Sequence, residues 1–187
     1  LSREGDEVGA QFAAGKVTAP PGFAAAYQDF WQAGWPALSC AEEDGGQGLP
    51  WVLEGVLYEW LSAANHGWTM ALKAAYLPKV ASGEWLATMC LTEAHAGSDL
   101  GMVRTQAIPA ENTALGESYQ ISGGKIFISG GEHDLTENIV HLVLARLPGA
   151  PAGPKGLSLF LVPKVLPDGA HNTVVCERIE EKMGLHG

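Results

Sequence analysis

The chain has 187 residues, of which 47% are hydrophobic and 17% are charged, and its formal net charge is −10. This balance is typical of a globular protein with an apolar core and argues against a disordered chain. A chain this acidic is a poor candidate for nucleic-acid binding, which depends on neutralising phosphates, and no apolar run approaches the length of a membrane span.

The cysteines indicate the cellular compartment of the protein, and the two ends of the chain indicate whether it is a fragment. The three cysteines, Cys40, Cys90 and Cys176, are odd in number and include no CxxC pair, so we expect a reducing compartment and a cytoplasmic protein. The chain starts at Leu1, and the segment KMGLHG at 182–187 ends without a visible stop. We therefore expect a fragment of a longer polypeptide.

The first 80 residues have the apolar spacing of helices. One helical face is predicted by aromatic residues at i, i+4, i+7 and i+8, namely Phe23, Tyr27, Phe30 and Trp31. Gly34 is expected to end this helix. A second helix is expected to begin at Pro50 and to end at 65–67, and a shorter one to occupy 68–77. We predict an N-terminal α-helical domain over 1–80.

From residue 81 the pattern changes to short strands separated by turns. The predicted strands are 85–92, 119–122, 125–129, 139–145, 156–162 and 173–176. The pair Gly123-Gly124 between two of them predicts a hairpin. Strands and helices do not alternate, so a nucleotide-binding parallel sheet is not indicated. The predicted class is α+β, with the helical domain followed by a middle antiparallel β-barrel or sandwich domain over 81–187.

Several familiar catalytic motifs are absent from the sequence. It contains no GxGxxG turn, P-loop, HExxH or GxSxG. The six histidines are scattered, and none pairs with Cys or a carboxylate at metal-ligand spacing, so no metal site is predicted. His133 is expected to be a solvated turn residue.

Residues 89–100 form a stretch that points to chemistry. A strand ends there in Thr92 and Glu93, and a Gly-Ser-Asp turn follows at 97–99. Loops after strands commonly present binding groups, and exposed N–H groups and small hydroxyls there could bind a flat heteroaromatic ring. From the residues alone, an ordinary strand-turn capped by Ser98 or Asp99 is the favoured interpretation.

Four segments, in matching order, resemble the signatures of one family. CLTE at 90–93 with GSD at 97–99 resembles the acyl-CoA dehydrogenase signature, and SGGKIFIS at 122–129 resembles that family's NGxKxWIT strand pair. GPKGLSLFLV at 153–162 is similar to its KGITAFLV strand, and EKMG at 181–184 to its xKMG segment. On this resemblance the chain is identified as a member of this family of flavoproteins.

The resemblance implies that the middle β domain holds the flavin ring of FAD against the substrate. Met89 and Leu91 would contact the isoalloxazine, and Thr92 would hydrogen-bond its pyrimidine edge. Phe127 stands where the family usually has Trp and would pack on the ring face opposite the substrate. Ser129 stands at the usual Thr position and would hydrogen-bond near N5. Oriented donors of this kind stabilise the negative charge that develops on the reduced ring.

The resemblance also implies a reaction and partners. The expected activity is α,β-dehydrogenation of an acyl-CoA thioester in fatty-acid β-oxidation, with electrons passing to an electron-transfer flavoprotein and the enzyme assembling as a homodimer or homotetramer. Ser98 would lie near the thioester or CoA, or touch the FAD phosphates. Glu93 matches a residue of the flavin-side turn, so the catalytic glutamate is expected beyond Gly187. Segments 132–134, 138–141 and 183–187 suggest the large bacterial long-chain branch.

The chain departs from the family pattern in two places. Ala94 replaces a usual Pro, which loosens the turn without removing a chemical group. Between Met70 and Lys73 a longer helical stretch is deleted or missing from the chain, and that stretch usually helps to wall the acyl pocket. Two alternatives remain open: a flavoprotein of the same fold with other chemistry, such as nitroalkane oxidation or an alkylation-damage response, or a fragment that is inactive alone and serves subunit contacts.

Overall fold

The computed structural model describes residues 2–64, 79–80, 82–111, 117–166, 168–182 and 185–186. Its helices are α1 (Ser2–Glu7), α2 (Phe23–Gln32) and α3 (Trp51–Ala64). Its strands are β1 (Gln11–Ala13), β2 (Lys16–Thr18), β3 (Leu86–Cys90), β4 (Gln106–Pro109), β5 (Tyr119–Ser122), β6 (Ile139–Arg146), β7 (Leu157–Pro163), β8 (Glu181–Lys182) and β9 (Leu185–His186). Short 3-10 helices occupy Trp35–Ala37, Glu42–Asp44, Leu100–Met102 and Pro154–Gly156.

The described part of the chain is α+β, and its largest sheet is mixed. The strand order is β3-β6-β4-β5, with β7 also paired to β6. Strands β4 and β5 are antiparallel, but β4 and β6 pair in parallel at Gln106 and Arg146. The expectation of an antiparallel sheet is therefore corrected: the connection 123–138 is long enough to carry the chain back to the other side of β4 in the same direction.

The chain divides into two compact units. The first unit comprises 1–88, 129–140 and 163–187, and the second comprises 89–128 and 141–162. Each unit gathers segments that are distant in the sequence, and the residues predicted for the cofactor fall mostly in the second.

Helix α2 in the first unit confirms the aromatic periodicity. Phe23, Tyr27 and Phe30 are its buried residues, and Gly34, which lies just after its end, has φ 79, a conformation that favours glycine. Helix α3 starts directly after Pro50, as predicted. The helix predicted over 68–77 lies outside the described residues.

The first unit is built around two apolar clusters. The larger contains the buried side chains of α2 together with one residue from β3 and one from the later segment 129–140, namely Phe23, Tyr27, Phe30, Leu86 and Leu135. The smaller joins Val80, Ala87 and Val140, with Trp85 against it. Burial of this apolar area stabilises the fold and fixes where β3 begins.

Three local predictions were wrong. Residues 11–18 form a hairpin inside the half that was expected to be helical, with Ala14 and Gly15 at positive φ in its turn. Residues 173–176 are not a strand, and Val175 is exposed. Residues 125–129 do not pair with β5, because the main chain of Ile126 is hydrogen-bonded to Thr92 instead.

His133 is also not the solvated residue that its polar neighbours suggested. It is buried in the first unit, and its Nδ1 accepts a hydrogen bond from the Leu135 backbone at 3.3 Å. The ring therefore supports the turn that delivers Leu135 to the apolar cluster.

Among the described residues, no helix is both long and apolar enough to cross a bilayer.

Candidate functional site

The end of β3 presents an apolar side chain to solvent. The strand is buried at Leu86–Thr88 and at Cys90, but Met89 is 53% exposed. Leu91 and Thr92 follow directly and are half-buried. An exposed methionine at the end of an otherwise buried strand provides adaptable apolar surface of the kind that ligands cover.

A second apolar side chain is presented by a segment that is neither helix nor strand. Phe127 is 41% exposed, and its backbone has φ 60. The left-handed conformation costs a residue with a side chain about 1–2 kcal/mol and persists only where surrounding contacts impose it. Such strained positions cluster at binding sites, so Phe127 is a candidate contact residue.

These two segments lie against each other in the second unit. The Ile126 backbone N–H donates to the Thr92 carbonyl at 3.0 Å. The Lys125 Nζ donates to the Leu91 carbonyl at 3.1 Å. The two residues before Phe127 are thereby held against Leu91 and Thr92.

The remaining predicted residues are placed differently. Ser98 is exposed in the turn that follows Glu93, within the second unit. Ser129 is half-buried in a turn and belongs to the first unit. Ser129 is close to Phe127 in the sequence, with one residue between them.

Glu93 is a buried carboxylate of the second unit that several donors hold. Its side chain is 4% exposed, and one carboxylate oxygen accepts from the Lys125 Nζ at 2.9 Å. The Thr105 hydroxyl and backbone N–H also donate to this oxygen, and the Arg104 backbone N–H donates to the second carboxylate oxygen at 2.8 Å. His95 lies 3.2 Å from the second oxygen.

These contacts determine the protonation of Glu93. Burial is the largest single influence and raises the pKa of the carboxyl, but hydrogen bonds from Thr105, Arg104 and Lys125 together outweigh it and hold the pKa at about 2, against an ordinary 4.5. Glu93 is therefore ionised at neutral pH. A carboxylate so fully engaged is a poor acceptor for a substrate proton, which agrees with its exclusion as a catalytic base.

The sequence motifs contain both Glu93 and Lys125, but they did not indicate that the two residues form an ion pair. The two residues are 32 positions apart, and no periodicity joins them. The one available signal was that Glu93 directly follows Thr92 and that Lys125 lies two residues before Phe127.

The second unit has groups that suit a flavin ring. Met89 and Phe127 provide exposed apolar surface, and Thr92, in the same pair of segments, provides a hydroxyl. No heavy atom lies within 4 Å of where a Cβ would stand on Gly124, so the backbone there is open to approach. Among the described residues, no three His, Cys, Asp or Glu side chains form a metal-binding group.

A family comparison identifies the second half of the chain. Residues 88–187 match the sequence model for "Acyl-CoA dehydrogenase, middle domain". A curated relative, 3-methylmercaptopropionyl-CoA dehydrogenase of Ruegeria pomeroyi, is 43% identical over 99% of this chain, which spans 35% of that relative's length. The chain thus covers about a third of the protein it resembles.

Two solved structures resemble this chain in fold. An acyl-CoA dehydrogenase complexed with FAD from Bacillus anthracis superposes with a TM-score of 0.61 and 27% identity, over 76% of this chain and 25% of that chain. A structure described as the electron transferring flavoprotein of Acidaminococcus fermentans superposes with a TM-score of 0.66 and 26% identity, over 84% of this chain and 42% of that chain.

Proposed function

Because the chain belongs to the acyl-CoA dehydrogenase family, we propose that it forms the flavin-side part of an FAD-dependent enzyme that removes hydrogen from Cα and Cβ of an acyl-CoA thioester. The observation that supports this most strongly is the pairing of the 91–93 and 125–127 segments, which brings the hydroxyl of Thr92 and the exposed ring of Phe127 into one unit.

Each proposed contact has a physical reason. Phe127 would cover one face of the ring with flat apolar surface, and such stacking adds about 0.5–1.5 kcal/mol beyond area burial. Met89 and Leu91 would line the ring, and Thr92 would donate to its pyrimidine edge. Ser129 is proposed as a donor near N5, and Ser98 as a group on the CoA or phosphate side. When bound, FAD would supply the two-electron acceptor that the reaction requires.

Removal of the substrate's α-proton requires a residue other than those proposed to contact the flavin. Removal of the α-proton requires a carboxylate within hydrogen-bond reach of the substrate. Glu93 is buried and engaged by Lys125 and Thr105, so we assign it no acid–base role. We propose that the base is a glutamate outside these 187 residues.

The domain organisation, the assembly, the location and the electron acceptor are also proposals. We propose a helical N-terminal domain over 1–80 and a flavin-holding β domain over 81–187, in a cytoplasmic homodimer or homotetramer. An electron-transfer flavoprotein is proposed as the electron acceptor, since a structure described by that name is among those the chain resembles. Fatty-acid β-oxidation is the proposed context, in which the relative's 3-methylmercaptopropionyl group would be one of several acyl groups to test.

An anaerobic titration tests the proposed reaction. The protein at its natural length should purify with visible flavin colour, and addition of a saturated acyl-CoA without oxygen should bleach that colour because the flavin is reduced. Parallel titrations with short, long and thioether acyl-CoAs would identify the substrate. Protein that carries FAD but is bleached by none of them, while dithionite still reduces it, would contradict the proposal and favour other chemistry on the same fold.

A further inference from the structure

The two segments proposed to hold the flavin are joined by more than main-chain pairing. Lys125 spans them with its side chain, donating both to the Leu91 carbonyl at 3.1 Å and to the Glu93 carboxylate at 2.9 Å. The Ile126 N–H bond to the Thr92 carbonyl lies between these two contacts. Leu91, Thr92 and Glu93 are therefore each hydrogen-bonded to Lys125 or Ile126.

The ion pair at this junction is buried and further anchored. The Lys125 and Glu93 side chains are 9% and 4% exposed. The Glu93 carboxylate also accepts from Thr105, and Gly123 packs so closely on Thr105 that a Cβ there would lie 2.5 Å from its Oγ1. The segment leading to Phe127 is thus fixed from two directions before the chain reaches that residue.

Phe127 needs such support because of its backbone. Its φ of 60 is unfavourable for any residue with a side chain, and neighbouring contacts must impose it. The residues immediately before it are the two that carry the contacts to 91–93. We infer that Lys125 and Glu93 are positioning residues, whose buried ion pair holds Phe127 in its left-handed conformation and so fixes where its half-exposed ring stands.

Part of this inference stands without any cofactor. That the ion pair maintains the backbone of Phe127 concerns the protein alone. That the fixed ring then contributes to flavin binding rests on the proposed function. Folding of the flavin-free protein tests the first part, and titration with FAD tests the second.

The backbone part is tested by a double-mutant cycle on the flavin-free protein at its natural length. Lys125→Met removes the ammonium group and keeps most of the aliphatic stem, and Phe127→Gly removes the conformational strain. Without the ion pair, Phe127 can relax, which offsets part of the loss, whereas a glycine at that position has no strain to release. Lys125→Met should therefore lower the folding equilibrium constant about fivefold more in the Phe127→Gly background than in the parent.

A second variant and a matched control complete the cycle. Glu93→Gln breaks the same pair more gently and should show coupling of the same sign, which keeps the test usable if Lys125→Met does not fold. Lys164→Met breaks the comparable Lys164–Glu132 pair of the first unit and should show no coupling to Phe127→Gly. Equal losses in both backgrounds for Lys125→Met and Glu93→Gln would overturn the inference.

The binding part is tested by titrating FAD into the folded parent and variants. Lys125→Met should weaken FAD binding about tenfold and alter the visible circular dichroism of the bound flavin, while Lys164→Met should change neither. If the parent binds FAD and Lys125→Met binds it equally with an unchanged spectrum, the positioning role is wrong. If the parent binds no FAD, the proposed function fails, and the folding cycle still decides whether the ion pair supports Phe127.

Discussion

Replacement of Tyr27 by alanine is expected to lower the free energy of unfolding by about 3–5 kcal/mol, the range for loss of a buried aromatic side chain. Tyr27 has 0% exposure and lies in the cluster that joins α2 to Leu86 of β3. Its hydroxyl donates to the Gly83 carbonyl, just before that strand. The substitution removes apolar contacts, leaves a cavity and releases the bond that fixes the start of β3.

Chemical unfolding followed by tryptophan fluorescence measures this loss. Tyr27→Phe is the matched control, because it keeps the ring and removes only the hydroxyl, so it should cost about 1–2 kcal/mol. Since β3 leads directly to Met89 and Leu91, Tyr27→Ala should also speed amide exchange in that strand. A loss below that of Tyr27→Phe would show that the cluster does not carry the stability assigned to it.

Acid should remove a contribution of about 3 kcal/mol that Glu93 makes to stability. The pKa of Glu93 is about 2 in the folded chain, depressed from an ordinary 4.5. Because its pKa is lower in the folded chain, Glu93 takes up a proton at a higher pH in the unfolded chain than in the folded one. Its contribution to stability is therefore complete above the ordinary pKa and is lost as the pH falls toward the pKa of the folded state. Lys125 and His95 are the titratable groups that face this carboxylate.

The difference between the parent and Glu93→Gln isolates this effect, because all other carboxyl groups titrate in both. We expect their free energies of unfolding to converge by about 3 kcal/mol between roughly pH 5 and pH 2. Glu84→Gln serves as the control, since Glu84 pairs with Lys79 at an exposed site and such pairs contribute little. A constant difference between parent and Glu93→Gln across this range would refute the assignment.

The parts of the fold that could be predicted are those governed by local periodicity. The face of α2, the start of α3 at Pro50 and strands β6 and β7 follow from spacing of apolar residues and from proline at a helix start. The expected hairpin across Gly123-Gly124 failed because Ile126 bonds to Thr92, a contact that a turn signal cannot reveal.

In the candidate site, too, residues within local motifs could be predicted, and contacts between residues distant in the sequence could not. Motif resemblance selected Thr92 and Phe127, and the structure places their segments side by side. It did not indicate the strained backbone of Phe127, the burial of Glu93 or its pairing with Lys125. These features arise from contacts between residues distant in sequence, for which a single sequence carries no periodic signal.

Hydrogen–deuterium exchange on the full-length protein, with and without saturating FAD, tests directly whether the paired segments form the flavin site. We expect FAD to slow exchange at the backbone amides of 89–93 and 125–129, with little change over α2. Tight binding of FAD with protection elsewhere, and unchanged exchange in both of those segments, would contradict that assignment.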